Sequence, residues 1–231
     1  MRDTLPPVAD PAALVRTRRA WHAVGEHVLA AARYRADGRI GLAVTPGGFG
    51  TPAYGDGRSA RVAGLDLVVS DADGERATPL TTLAVAAAAV GVEPGAPPVY
   101  VAETPLSLDA LLEIDPQAAE LLARWFDLTW TVLRALGEPV TLWPEHFDVA
   151  CELGDEARGE RGTFGASPGD DQHGEPYLYV THWADVPDDE YWNDTSFRGA
   201  SLAYADVARA DDAAVAAREF FGRGRRLLTR D

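Results

Sequence analysis

Lysine is absent from the chain: all 21 basic residues are arginine. Without a flexible primary amine there is no P-loop lysine for nucleotide phosphates, no kinase-type lysine and no Schiff-base nucleophile. Cysteine occurs once, at Cys151, which removes disulfide frameworks, thiolate zinc sites and iron–sulfur clusters built within one chain. Long apolar runs are missing too. The longest, residues 83–92, is mostly alanine and falls short of the roughly 20 residues a membrane-spanning helix needs. The first ten residues lack the apolar stretch of a signal peptide, so the expected location is cytoplasmic. Positive charge is scarce: 36 acidic residues against 21 basic ones give a formal net charge of −15. That balance argues against nucleic acid, whose phosphates call for clustered basic surface. The basic group Arg218, Arg223, Arg225, Arg226 and Arg230 is expected to complement the dipole of a final helix.

What is present describes an ordinary globular chain. Its 231 residues, 46% of them apolar, are enough for a sizeable core in one large or two small domains. Asp10-Pro11 reads as the cap and first residue of a helix running to about Tyr34. Short strands are expected at 40–45, 59–63, 65–70 and 76–80, with Asp73-Gly74 as a hairpin signal, followed by a helix over 82–90. Asp115-Pro116 repeats the start signal, and Ala118, Leu121, Leu122, Trp125, Thr129, Val132, Leu133 and Leu136 keep a helical period up to Gly137. Strands at 140–153, 162–165, 176–183 and 201–205 and a helix over 211–228 complete the chain. Strands joined by short turns pair antiparallel, so the expected class is α+β. The order reads as a tandem duplication of a helix–strands–helix unit. Residues 1–105 and 106–231 are its halves, forming one compact body. The glycine-rich segment 46–52 reads as a tight turn or bulge.

Three segments occur in a familiar order: Val44-Thr45-Pro46-Gly47-Gly48-Phe49-Gly50-Thr51, then Pro79-Leu80 opening a helix, then Phe147-Asp148-Val149-Ala150 after the second long helix. In these the chain resembles a bacterial family catalogued only as a domain of unknown function. The resemblance implies the architecture and carries no chemistry. Residues just before Phe147 depart from the family's pattern, so no role passes to Glu145 or His146.

Polar and aromatic residues gather in 141–193. In a continuous strand Trp143, Glu145, Phe147, Val149 and Cys151 share one face, and Leu142, His146, Asp148 and Ala150 the other. Glu145 on an apolar face suits general acid–base work. His146 and Asp148 with His173 or His182 fit a facial triad of a non-haem metal enzyme, with Arg198 in place of the lysine that often anchors a keto acid. The competing reading has Pro144 bending the strand and turning Glu145 to solvent.

Gly165-Ala166-Ser167-Pro168-Gly169 matches G-x-S-x-G. Pro168, however, lacks the N–H an oxyanion hole needs, and a turn follows where a helix should. In Tyr177–Trp183, tyrosines alternate with apolar residues and suit either a ligand pocket or an ordinary core. His22 and His27, at about 100° per residue, are expected on different sides of their helix. The resulting expectation is a small-molecule-binding protein or enzyme without a cofactor. Its pocket lies between the halves, in the C-terminal part, with Glu145, His146 and Asp148 as catalytic candidates. His173, Glu175, Tyr177, Tyr179, His182 and Trp183 are the ligand-binding candidates. A non-catalytic interaction protein is the alternative.

Overall fold

The computed structural model describes residues 4–137, 139–186 and 188–229; Arg230 of the basic group lies outside them. The chain forms two compact units, one of Val8–Asp127 with Thr141–Phe147, the other of Met1–Pro7, Leu128–Val140 and Asp148–Asp231. The division falls inside the second long helix.

In the first unit, α1 (Pro11–Val24) starts where Asp10 accepts hydrogen bonds from the N–H groups of Ala12 and Ala13, at 2.9 and 3.0 Å. Those donors have no partner within the helix, which is why an aspartate starts it. The helix is not continuous. A π-helical turn, Gly25–Leu29, separates α1 from α2 (Ala30–Asp37), which ends on left-handed Gly38. Trp21, Val24, Val28, Leu29 and Ala30 are fully buried along this rod.

An antiparallel meander follows: β1 (Ala43–Thr45), β2 (Gly48–Gly50), β3 (Ser59–Ala63), β4 (Asp66–Asp71) and β5 (Gly74–Pro79). The glycine-rich segment is therefore a hairpin with a strand of its own, and the expected turn accounts only for its start. The reason is close approach. A Cβ on Gly50 would lie 2.5 Å from Arg61 Cβ and one on Gly48 2.6 Å from the Val62 carbonyl oxygen. Only glycine lets β2 sit on β3 while Phe49 between them is fully buried. Helix α3 (Leu83–Val90), capped by Thr82 and closed by left-handed Gly91, buries Leu83, Ala86, Ala87 and Val90. Residues 91–115 contain neither helix nor strand.

Helix α4 (Pro116–Leu136) opens as α1 does, with the Asp115 carboxylate accepting from Gln117 and Ala118 at 3.0 and 2.9 Å. Beyond it the expected strand over 140–153 is two strands, β6 (Thr141–Trp143) and β7 (Asp148–Leu153), parted by a turn. Pro144 offers no N–H to a ladder. Phe147 is the one non-glycine among the described residues with positive φ, at 52°. Its ring is fully buried against Phe49, Phe126 and His22, at centroid distances of 4.9, 5.5 and 5.0 Å. That burial offsets the strained backbone.

The second unit continues with β8 (Gly162–Ser167), β9 (Tyr177–His182), β10 (Gly199–Ala203), α5 (Tyr204–Arg209) and α6 (Ala213–Thr229). The fold is α+β: helices with two five-stranded antiparallel sheets, ordered β1-β2-β3-β4-β5 and β10-β9-β8-β7-β6. Along β7–β9, Val149, Cys151, Phe164, Ala166, Leu178 and Val180 are buried, and Phe164 meets Phe221 of α6 at 6.1 Å. No helix among the described residues is long and apolar enough to cross a membrane.

Candidate functional site

The alternation that buries Leu178 and Val180 turns Tyr177 and Tyr179 to the other face of β9. Register places Tyr179 opposite Gly165 and Ser201, and Tyr177 opposite Ser167. On the same face β7 contributes Asp148, next to Val149 on the opposite side of the strand. The Tyr179 ring lies over β8 because position 165 has no side chain. A Cβ there would stand 2.3–2.5 Å from Tyr179 Cζ, its hydroxyl oxygen and Cε1. The tyrosine then reaches across to donate its hydroxyl to the Asp148 carboxylate, which is 6% exposed.

A second tyrosine–carboxylate pair sits beside the first. Tyr177 donates to Asp170 at 2.6 Å and shares a hydrogen bond with the Ser167 hydroxyl. Asp170 also accepts from the N–H groups of Gln172 and His173, both at 2.7 Å, so the loop between β8 and β9 folds around its side chain. His173 places Nδ1 3.3 Å from Asp170 and Nε2 3.7 Å from Asp194, and its ring centroid lies 4.3 Å from that of Tyr177. Phe197 meets Tyr179 edge-on at 6.1 Å.

Burial, reinforced by the neighbouring carboxylates, pushes the ionisation of both tyrosines upward, so both remain protonated donors at neutral pH. Burial alone would raise Asp170. The Tyr177 hydroxyl and the two N–H groups outweigh it and hold the carboxyl below the usual range. Asp194 is likewise desolvated yet lowered, by Ser196, Ser201 and His173. The face thus presents the ionised carboxylates of Asp170 and Asp194, neutral phenols and one imidazole set between two acids.

The candidates named from sequence fall into three places. Asp148, His173, Tyr177 and Tyr179 come together here, joined by Ser167, Asp170, Asp194 and Phe197. His182 lies on the other face, bonded to the Ala184 carbonyl at 2.7 Å and edge-on to Trp192, while Trp183 donates to Thr163 under Arg161. Glu175, in the loop before β9, is half-buried.

Glu145 and His146 belong to the turn before β7, in the other unit, where His146 is 70% exposed with Nδ1 3.8 Å from Glu103. The expected alternation through Glu145 and His146 fails because the strand stops at Trp143. His146 and Asp148 are accordingly not joined as a chelating pair, and no group of three His, Cys, Asp or Glu among the described residues is placed to hold a metal. Ser167 ends a strand and accepts from the Gly169 N–H at 3.1 Å; the next element is a loop and a strand, unlike a nucleophile elbow. Burial and Glu152 push the Cys151 thiol up to about 11, so it packs as an inert apolar group.

His22 and His27 also differ from expectation. The π-helical turn between them brings both to one side around Glu26: His22 Nε2 is 3.7 Å from its carboxylate, and His27 shares Thr104 with it. Compared with family models, curated proteins and solved structures, the chain matches none of them.

Proposed function

We propose that the chain binds a small hydroxyl-rich molecule, of the sugar or polyol class, on the Tyr177–Tyr179 face of the second unit. The observation that carries the reading is the gathering of Asp148, Asp170, His173, Tyr177 and Tyr179 on the sheet face opposite the one that packs on α6. Aromatic rings offer flat apolar surface to the C–H side of a sugar, and carboxylates accept its hydroxyls. With both phenols protonated, the tyrosines orient the acids. His173, between Asp170 and Asp194, is the group suited to moving a proton if the bound molecule reacts.

A second reading, an interaction protein in which these residues only hold the sheet together, draws on one fact: both tyrosine hydroxyls are already spent on carboxylates of the same chain. Thermal melting with millimolar monosaccharides and polyols separates the two. Saturation at 100 times Kd adds about 2.7 kcal/mol, a rise on the order of 5–10 °C for a chain of this length. The binding reading predicts such a saturable rise for at least one compound, lost in Asp148→Asn and Tyr177→Phe. A panel without any saturable rise favours the interaction reading.

A further inference from the structure

The π-helical turn sets two buried ionisable side chains in succession, Glu26 at 0% and His27 at 2% exposure. Single π turns within α-helices are frequent at functional sites. Here the turn fastens the 91–115 segment. Glu26 accepts from the N–H groups of Glu103 and Thr104, at 3.0 and 2.9 Å, and from the Thr104 hydroxyl. Gly95 donates its N–H to the His27 carbonyl at 3.0 Å. A stretch this long without regular structure is uncommon in a compact unit, and such segments are usually lids or binding loops.

Among the described residues of this unit seven buried side-chain atoms make no hydrogen bond within the chain, and three of them belong to the groups around Glu26: His27 Nδ1, the Tyr100 hydroxyl and Glu145 Oε2. Their chemistry has a common direction. His27 Nε2 lies 2.9 Å from the Thr104 carbonyl, which only accepts, so Nε2 carries the proton and Nδ1 of the neutral ring is an acceptor. Glu145 Oε2 is an acceptor, and the Tyr100 oxygen accepts as well as donates. Burial first, and then the charges of Glu26 and Glu145, push the Tyr100 ionisation up, so the phenol stays neutral among these carboxylates. His22, its ionisation pushed down by burial against the opposing pull of Glu26, donates to the Pro144 carbonyl at 2.8 Å.

We propose that His27, Tyr100 and Glu145, with the charge of Glu26 behind them, form a binding site for a small organic cation bearing several N–H donors. The ligand class is a primary amine or guanidinium compound, and the 91–115 segment is the lid that Glu26 latches. Unmet acceptors beside buried carboxylates call for donors with positive charge. The site is independent of the hydroxyl-rich ligand reading, which concerns the other unit.

The test is a titration of the histidine-15N-labelled protein with agmatine, with 1-butanol as a neutral control, read at the imidazole nitrogens in low salt and in about 0.5 M salt. The expected result is a saturable shift of His27 Nδ1 that persists in high salt and is absent with 1-butanol. Binding should weaken by about tenfold or more in Glu145→Gln and in Tyr100→Phe. Both variants should keep the parent's melting temperature, because neither removed group has a partner in the chain to lose. A non-saturating shift spread over all histidines and erased by salt would mean diffuse attraction to an acidic chain, and overturns the proposal. No shift in the parent, or equal affinity in both variants, overturns it equally.

Discussion

Removing the Glu26 carboxylate would leave the Glu103 and Thr104 N–H groups and the Thr104 hydroxyl without their acceptor in a partly buried place. Glu26→Ala is expected to cost on the order of 3 kcal/mol. For a chain of this length the melting temperature falls by roughly 2–4 °C per kcal/mol, which calorimetry will show. His22 gives a pH signature with a defined sign. Burial, the larger influence, lowers its pKa in the fold against an unfolded value of 6.5, despite the opposing pull of Glu26. The unfolded chain therefore binds more protons just below pH 6.5, and stability falls as the pH is lowered through that value toward the folded pKa. Melting at pH 5 and pH 7 checks it: His22→Gln should narrow the difference between the two. At Gly165 the expectation is steric. Gly165→Ala puts a methyl group into the Tyr179 ring, and overpacking of this kind costs typically 1–3 kcal/mol. The displaced ring should lose Asp148, lowering the tyrosine titration midpoint seen by ultraviolet absorbance.

Two helices of this chain start with the same dipeptide, Asp-Pro, and both aspartates make the same pair of capping bonds. Asp115→Ala should cost about 1 kcal/mol, measured as a lower melting temperature. These starts were legible in sequence because a cap is a local arrangement: one side chain and two N–H groups close by. The β4–β5 hairpin and the alternation of Tyr177 and Tyr179 were legible for the same reason. The π-helical turn was not, because Gly-Glu-His-Val-Leu would continue an ordinary helix, and what selects the wider turn is Glu26 reaching residues 103 and 104. Strand β2 was hidden because glycines read as a turn until the neighbouring strand that needs their missing side chains is known. Asp148 was placed correctly relative to Val149 and Cys151. Glu145 and His146 were not, since a period of two was carried through Pro144. Asp170 and Asp194 lie in loops with no local pattern to mark them, and only the folded chain shows the tyrosine, serine and imidazole they hold.

A formal charge of −15 acts on the molecule as a whole. The ion pairs on its surface are mostly exposed, as in Arg124–Glu120 and Arg198–Asp185, and such pairs contribute little each. Net self-repulsion should therefore dominate the salt response. Raising the ionic strength from about 0.01 to 0.15 M shortens the screening length from about 30 to 8 Å and should raise the melting temperature. A fall instead would mean that attractive pairs outweigh repulsion. The central claim is that the tyrosine–carboxylate face of the second unit is a binding surface and not a brace. The measurement that bears on it most directly is the melting of Tyr177→Phe beside the parent, each with and without the hydroxyl-rich compound that raises the parent most. The account predicts that the variant alone melts somewhat lower, because Asp170 loses the phenol that helps hold it ionised, and that the compound no longer raises it. A variant that still gains the parent's full rise, whatever its own melting temperature, would contradict the account and leave the face a structural brace.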